Sequence, residues 1–256
     1  MADAADITLT RSAHVAHLRW SRPPHNHVDP GFIGRLADQL DALDADPDCR
    51  AVLLSAEGKA FCAGADFRAA GAGSDIDPAA FYEQAMRLFR TRKPMVAAVH
   101  GAAIGAGLGL ALVADFRVAG PSTRLSANFV RLGLHPGFGL SETLPRLVGQ
   151  QRASLLLCTG RRVDGAEGLA LGLVDELASH EAEVLSRAMA LAQELAAAAP
   201  LALQSTRATL REGLADAVMA VNQRELQMQR QHFKMADFRE GIAATAERRE
   251  PVFTGT

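Results

Sequence analysis

One run constrains the fold more than any other: MVAAVHGAAIGAGLGLALVA, Met95 to Ala114, in which His100 is the only polar side chain. An apolar run of about twenty residues can cross a bilayer as a helix, and Gly101 and Gly105 stand at a helix-packing spacing. Against a membrane span, Pro94 and the β-branched Val96 and Val99 favour an extended start, and Gly101 then breaks the run before the helix-like AIGAGLGLALVA. With one Trp and one Tyr, the chain also has little from which to build an interfacial aromatic belt. The expectation is a buried strand, a turn, and a buried helix beginning near Ile104.

The flanking sequence repeats this alternation. ITLTRSAHVAHLRW reads as two short strands with a turn near Arg11 to Ala13. Pro30 leads into GFIGRLADQLDALDAD, with Phe32, Leu36, Leu40 and Leu43 at helical spacing, and AVLLS (Ala51 to Ser55) reads as a buried parallel strand. A helix near Pro78 to Arg90 precedes PMVAAV, and ADFRVAG follows as a further strand. This is α/β alternation, with strands delivering loops to one edge of a sheet. From about Asp164 the pattern becomes helical and amphipathic, so its apolar faces must dock on the core or on another subunit.

Composition excludes several partners. A formal charge of -2, with no basic stripe, disfavours nucleic acid, which needs clustered Lys and Arg. The N-terminal MADAADITLTRSAHVAHL lacks a cationic segment followed by an apolar core and a cleavage site, so a cytoplasmic location is expected. Three widely spaced cysteines, Cys49, Cys62 and Cys158, suit neither a disulfide framework nor a CxxC metal site. His25-Asn26-His27 has no third ligand at a recognisable spacing, so no metal is expected.

Two loops carry the chemistry. Gly105-x-Gly107 is followed by Leu110 where a dinucleotide fingerprint needs a third glycine, so a nucleotide fold is not indicated. A helix beginning near Ile104 leaves its first N–H groups unpaired and partly positive, and Gly105, Ala106 and Gly107 are small enough for a substrate oxygen to approach. Close helix packing would ask for the same small residues. EGKAFCAGADF (Glu57 to Phe67) also follows a buried strand and also ends in small residues. Two such loops can supply one N–H each to a single oxygen, a two-donor oxyanion hole.

GKAFCAGADF, KPMVAAVHGAAIGAGLGLALVADFRVA, LGLHPGFGLSETLPRLVG, GRRVDGAEGLALGLVDEL and DFREGIAATAERREPVF, in this order, resemble the crotonase superfamily, the enoyl-CoA hydratase/isomerase family. The resemblance implies an α/β fold, a spiral of ββα units over residues 1–195, and a C-terminal helical region over 196–256 that builds trimers or hexamers. It implies a role in fatty acid metabolism and an acyl-CoA thioester substrate, with coenzyme A as part of that substrate and no separate cofactor. By position, the oxyanion donors would be the N–H groups of Ala65 and Ala106. Contacts to CoA would come from Pro24, His25, Lys59, the Ala63 backbone, Arg68 and Arg248, the last from this chain or a neighbouring subunit.

Two positions depart from the family pattern. Its hydratases carry two glutamates where this chain has Gly109 and Phe129. Hydration needs an acid and a base, together worth about 10² to 10⁴ in rate, so the ordinary hydratase reaction is not expected. Gly109 suggests a need for room, as for a bulky acyl group, or else drift after loss of activity. His135, on the LGLHPGFG loop, is the foremost substitute acid or base, with Glu142, Asp66 and Asn128 behind it. The leading function is a lyase, isomerase or C–C bond hydrolase acting through a thioester enolate; the alternatives are a non-catalytic acyl-CoA binder and, behind it, an ordinary enoyl-CoA hydratase.

Overall fold

The computed structural model describes residues 6–65 and 76–256. β1 (Ile7–Ser12) and β2 (Val15–Trp20) form a hairpin that turns at Ala13, in place of the broader turn expected from Arg11. α1 (Pro30–Ala45) opens on Pro30 behind Asp29, whose carboxylate caps the Phe32 N–H at 2.8 Å. Its buried face is Phe32, Ile33, Leu36, Ala37, Leu40 and Leu43, the 3.6-residue period read from the sequence.

A unit of two strands and a helix then recurs. β3 (Ala51–Ala56) and β4 (Ala60–Cys62) lead to α2 (Ala79–Arg87); β5 (Met95–Val99) and β6 (Ala102–Ile104) lead to α3 (Ala106–Val113); β7 (Phe116–Ala119) and β8 (Arg124–Ser126) lead, through a 3-10 turn at Asn128–Leu132, to α4 (Leu140–Val148). The chain continues through α5 (Gln150–Thr159), β9 (Val163–Asp164), α6 (Gly165–Leu171), β10 (Glu176–Leu177), α7 (Val184–Ala197), α8 (Pro200–Leu210), α9 (Leu214–His232) and α10 (Ala236–Glu247). The first strand of each unit enters a six-stranded sheet of order β1-β2-β3-β5-β7-β10, and the second a four-stranded sheet of order β4-β6-β8-β9. β2, β3, β5, β7 and β10 run parallel, as do β4, β6 and β8.

The apolar run of Met95 to Ala114 therefore divides three ways. The helix does not begin near Ile104: Ala102–Ile104 is a second strand, paired with β4 and β8, and α3 starts two residues later. All eight α3 residues are buried, which is why its sequence is apolar all round. No helix among the described residues is long and apolar enough to cross a membrane.

One face of the larger sheet packs on the main core, where Trp20, Phe32 and Phe61 meet edge to face. The other face presents Val15, Leu53, Val96, Ala98 and Val118 to a stripe of Val184, Ala188, Ala192 and Ala196, spaced by four along α7. The boundary expected at 195/196 falls inside α7, which continues to Ala197. Beyond it, α9 packs on α2 and α4, and α10 on the 3-10 turn at Asn128–Leu132, so these helices dock on the chain's own core.

His17, on β2, is 8% exposed and shares a 2.6 Å hydrogen bond with Ser55. Burial, and secondarily Arg19, lowers its pKa from the ordinary value near 6.5. The folded state then binds fewer protons than the unfolded chain, so stability falls as pH drops through about 6.5 toward the lower folded pKa. His17→Gln should make the loss of urea resistance between about pH 7 and pH 5 shallower, with a remaining slope from His232, which burial and His135 also lower. An unchanged slope would assign the acid sensitivity elsewhere.

Candidate active site

The two loops singled out in the sequence meet along a seam of main chain. β4 and β6 pair in parallel, Ala60 with Ala102 and Cys62 with Ala103. Past the strand ends the backbones stay in contact. A methyl on Gly64 would lie 3.0 Å from the Ile104 carbonyl oxygen, and one on Gly107 would overlap the Cys62 carbonyl. Gly105 turns the chain from β6 into α3 at φ 57, ψ -118, a conformation that side chains disfavour strongly, while its N–H donates to Ser126 O at 2.8 Å.

Two backbone donors follow the strand ends. The first intrahelical bond of α3 runs from Gly109 N–H to Gly105 O at 3.1 Å, so the N–H of Ala106 lies in the unpaired first turn. Ala65 forms a parallel bridge with Val28 through the Gly64 carbonyl, which accepts from Val28 N–H at 3.0 Å. No backbone carbonyl among the described residues takes the N–H of either Ala65 or Ala106. The α3 dipole adds positive potential at its start.

The surroundings are mostly neutral. Cys62 is fully buried, and desolvation pushes its thiol up to about 12, so it is a packing residue rather than a nucleophile. Nearest to a methyl placed on Gly105 are Asn128 Oδ1 at 3.2 Å and the Phe129 ring at 3.8 Å. Asn128 is half-buried and Phe129 buried. Gly109 opens no space for a ligand: a methyl there would meet the Phe138 ring at 2.5 Å. Phe138 is fully buried, sits at φ 63, and packs edge to face against Phe81 and Phe89. The room inferred from Gly109 is thus already filled from within.

His135 is anchored through its backbone. Its backbone N–H donates to His232 Nδ1 at 2.9 Å, its carbonyl accepts from Gln229 Nε2 at 2.8 Å, and its own Nδ1 lies 2.7 Å from Pro136 O. Gln229 also accepts from the Tyr82 hydroxyl at 2.8 Å, and burial, with the Glu225 carboxylate, raises the Tyr82 pKa. Glu225, 0% exposed, accepts from the N–H groups of Gly139 and Ser141 at the start of α4. These contacts make the His135 loop part of the α4–α9 joint. Glu142 pairs with Arg146 along α4 at 2.6 Å.

The residues expected to meet CoA divide into two groups. Pro24, His25, Lys59 and Ala63 come together: Ala63 N–H donates to His25 O at 3.1 Å, and Pro24, His25 and Lys59 are exposed beside it. Arg248 is exposed at the end of α10, at φ 56. Arg68 and Asp66 lie outside the described residues. No group of three His, Cys, Asp or Glu suited to a metal occurs among the described residues.

Asn26, passed over in the sequence, is what assembles the first group. It is 3% exposed, accepts from Arg22 N–H at 2.7 Å, and donates to Glu57 O at 2.7 Å and Ala60 O at 2.6 Å. Its φ of 54 also suits Asn better than most residues. Asn26→Ala leaves two carbonyls without their donor and should cost about 2 kcal/mol or more of unfolding free energy, read by urea denaturation. A loss below about 0.5 kcal/mol would mean that the loop holds itself without this staple.

A spiral of ββα turns with an unpaired helix start beside a small-residue loop defines a class of protein, and the comparisons agree. The chain belongs to the enoyl-CoA hydratase/isomerase family, whose sequence model matches residues 10–256. It is 34% identical over 254 residues to a probable enoyl-CoA hydratase of Bacillus subtilis, across 97% of this chain and 98% of that one. The crystal structure of an enoyl-CoA hydratase/isomerase from Pseudoalteromonas atlantica superposes with a TM-score of 0.87 at 30% identity, covering 97% of this chain and 100% of the other. A carnitinyl-CoA hydratase from Mycobacterium avium matches with a TM-score of 0.87 at 28% identity, covering 99% and 100%. The fold is the crotonase fold expected from the sequence.

Proposed function

We propose that this protein is an acyl-CoA-processing enzyme that holds the thioester oxygen between the N–H groups of Ala65 and Ala106 and stabilises the enolate formed when an α-proton leaves. The observation that carries this reading is the seam: two loops leaving adjacent parallel strands in main-chain contact, with the N–H groups of Ala65 and Ala106 taken by no backbone carbonyl among the described residues and one of them at a helix start. Such donors are fixed before the charge develops, and losing one typically costs roughly 3 kcal/mol of transition-state stabilisation. Pro24, His25, Lys59 and Ala63 would take the CoA portion, joined by Arg68 and by Arg248 from this chain or a neighbouring one in a trimer or hexamer. CoA is part of the substrate, and no separate cofactor enters the reading.

The reaction differs from plain hydration of an enoyl ester. Neither Gly109 nor Phe129 can move a proton, so lyase or isomerase chemistry on an atypical acyl-CoA, through other polar groups, fits this chain better. Asn128, beside Gly105, supplies a hydrogen-bonding group for the acyl portion. His135, whose contacts with Gln229 and His232 are made by its backbone, keeps its imidazole as a candidate acid or base.

The test is a panel of enoyl-, dienoyl-, aryl- and alicyclic-CoA esters, followed by mass spectrometry and calorimetry. Conversion of at least one ester, with crotonyl-CoA hydration slow or absent, is the expected result. Tight binding without conversion would favour the non-catalytic acyl-CoA binder, and absence of CoA-ester binding would sink both readings.

A further inference from the structure

On the edge of the larger sheet where β5 and β7 begin, α8, α9 and the segment before β5 enclose a cleft of about 490 Å³ that the acyl-CoA reading does not use. Four of its lining residues are arginines, Arg90, Arg92, Arg207 and Arg211, and its lining includes one carboxylate, Asp216. Asp115, just behind, is shared: its Oδ2 accepts from Arg207 Nε at 2.8 Å and its Oδ1 from Arg211 Nη1 at 3.0 Å. Arg207 Nη1 is bound to Thr91 O. The remaining Nη2 of each arginine is buried and has no hydrogen-bond partner among the described residues, and Arg207 as a whole is 8% exposed.

Buried guanidinium groups are normally satisfied at every N–H, and two adjacent ones both lacking a partner call for an acceptor. Mutual repulsion sharpens the demand: burial and the nearby Arg207 lower the Arg211 pKa, which Asp115 offsets only in part. On the rim, Arg90 lies 3.5 Å from Asp216, and Arg92 donates to the Asp44 carbonyl at 2.9 Å, so both guanidiniums can still turn donors toward the cleft. Guanidinium pairs match the oxygens of a phosphoryl group in geometry as well as charge, and the cleft has the size of a small-molecule site.

We propose that this cleft binds the phosphoryl group of a small phosphorylated molecule, with the guanidiniums of Arg207 and Arg211 as inner donors, each turning its buried Nη2 toward it, and Arg90 and Arg92 closing over it. The site is separate from the Ala65–Ala106 seam, and the proposal stands whether or not that seam binds a thioester.

Equilibrium dialysis with labelled inorganic phosphate, and with AMP as a phosphorylated small molecule, tests the proposal on the full chain. Wild type should take up one phosphate per chain saturably at millimolar concentration. Tighter binding of AMP would point to an organic phosphate, and equal binding to free phosphate. Arg211→Gln should weaken uptake at least roughly tenfold, one guanidinium contact to a phosphate being a charge-assisted bond. If that variant fails to fold, Arg90→Ala with Arg92→Ala, on the exposed rim, gives the same reading. Arg152→Ala, exposed on α5 and outside both sites, should leave uptake unchanged. No saturable uptake, or uptake untouched by the arginine changes, would overturn the site. So would self-association that depends on Arg211 with no phosphate effect, since an acidic group of a second copy would then be the occupant.

Discussion

Replacing Gly107 with alanine should destabilise the protein by more than about 3 kcal/mol and lower turnover of any converted CoA ester at least roughly 10²-fold. The added methyl would overlap the Cys62 carbonyl, and neither partner can step aside. Cys62 is fixed in β4 by pairing with Ala103, and Gly107 is in the first turn of the buried α3. Relief would have to come from parting the two strands, which would also part the N–H groups of Ala65 and Ala106. Gly58→Ala is the control. Gly58 has positive φ, but nothing lies within 4 Å of its added methyl, so only backbone strain of about 1 to 2 kcal/mol is expected. Urea denaturation and ester turnover of the two variants side by side decide the matter. A Gly107→Ala protein within about 1 kcal/mol of wild type would show that the seam yields.

The second large effect concerns the missing carboxylates. Gly109→Glu with Phe129→Glu should not by itself create a hydratase, because the Phe138 ring stands where the first glutamate would begin. Adding Phe138→Gly removes the ring and relieves a positive φ, and the triple variant should hydrate crotonyl-CoA at least roughly 10²-fold faster than wild type. The cost is the buried aromatic contact with Phe81 and Phe89, typically about 3 to 5 kcal/mol for a Phe-to-small change, so assays belong well below the melting temperature. Equal hydration by the double and triple variants would clear Phe138 as an obstacle. Fast hydration by wild type would show that the reaction runs here without these carboxylates.

The parts legible in the sequence were those governed by local pattern. The period of Phe32, Leu36, Leu40 and Leu43 placed α1, and the apolar runs at Ala51 and Met95 placed β3 and β5. The short strand Ala102–Ile104 was not legible: three small residues carry no period, and only pairing with Ala60, Cys62 and Arg124–Ser126 makes them extended. Long-range packing hid the rest. Gly109 looked like open space because nothing near it in sequence announces Phe138. The backbone anchors of His135 were hidden because Gln229 and His232 lie on a helix that follows much later. Asn26 drew notice only as the residue between two histidines, while its partners are carbonyls, which no sequence motif records. Asp115, Arg207 and Arg211 form a cluster for the same reason that they escaped notice: two segments far apart in sequence, the turn between α3 and β7 and the end of α8, bring them together.

The seam between the two loops has an evolutionary side. A catalytic glutamate is lost by one codon change, whereas a main-chain N–H survives every substitution that preserves the backbone path. Stabilisation of a carbonyl oxygen by Ala65 and Ala106 would therefore be inherited with the fold, while proton-transfer groups at Gly109 and Phe129 come and go independently. A lineage built this way can exchange one reaction for another without passing through an ancestor that binds its substrate's oxygen poorly, because the costly half of the site was never encoded in side chains.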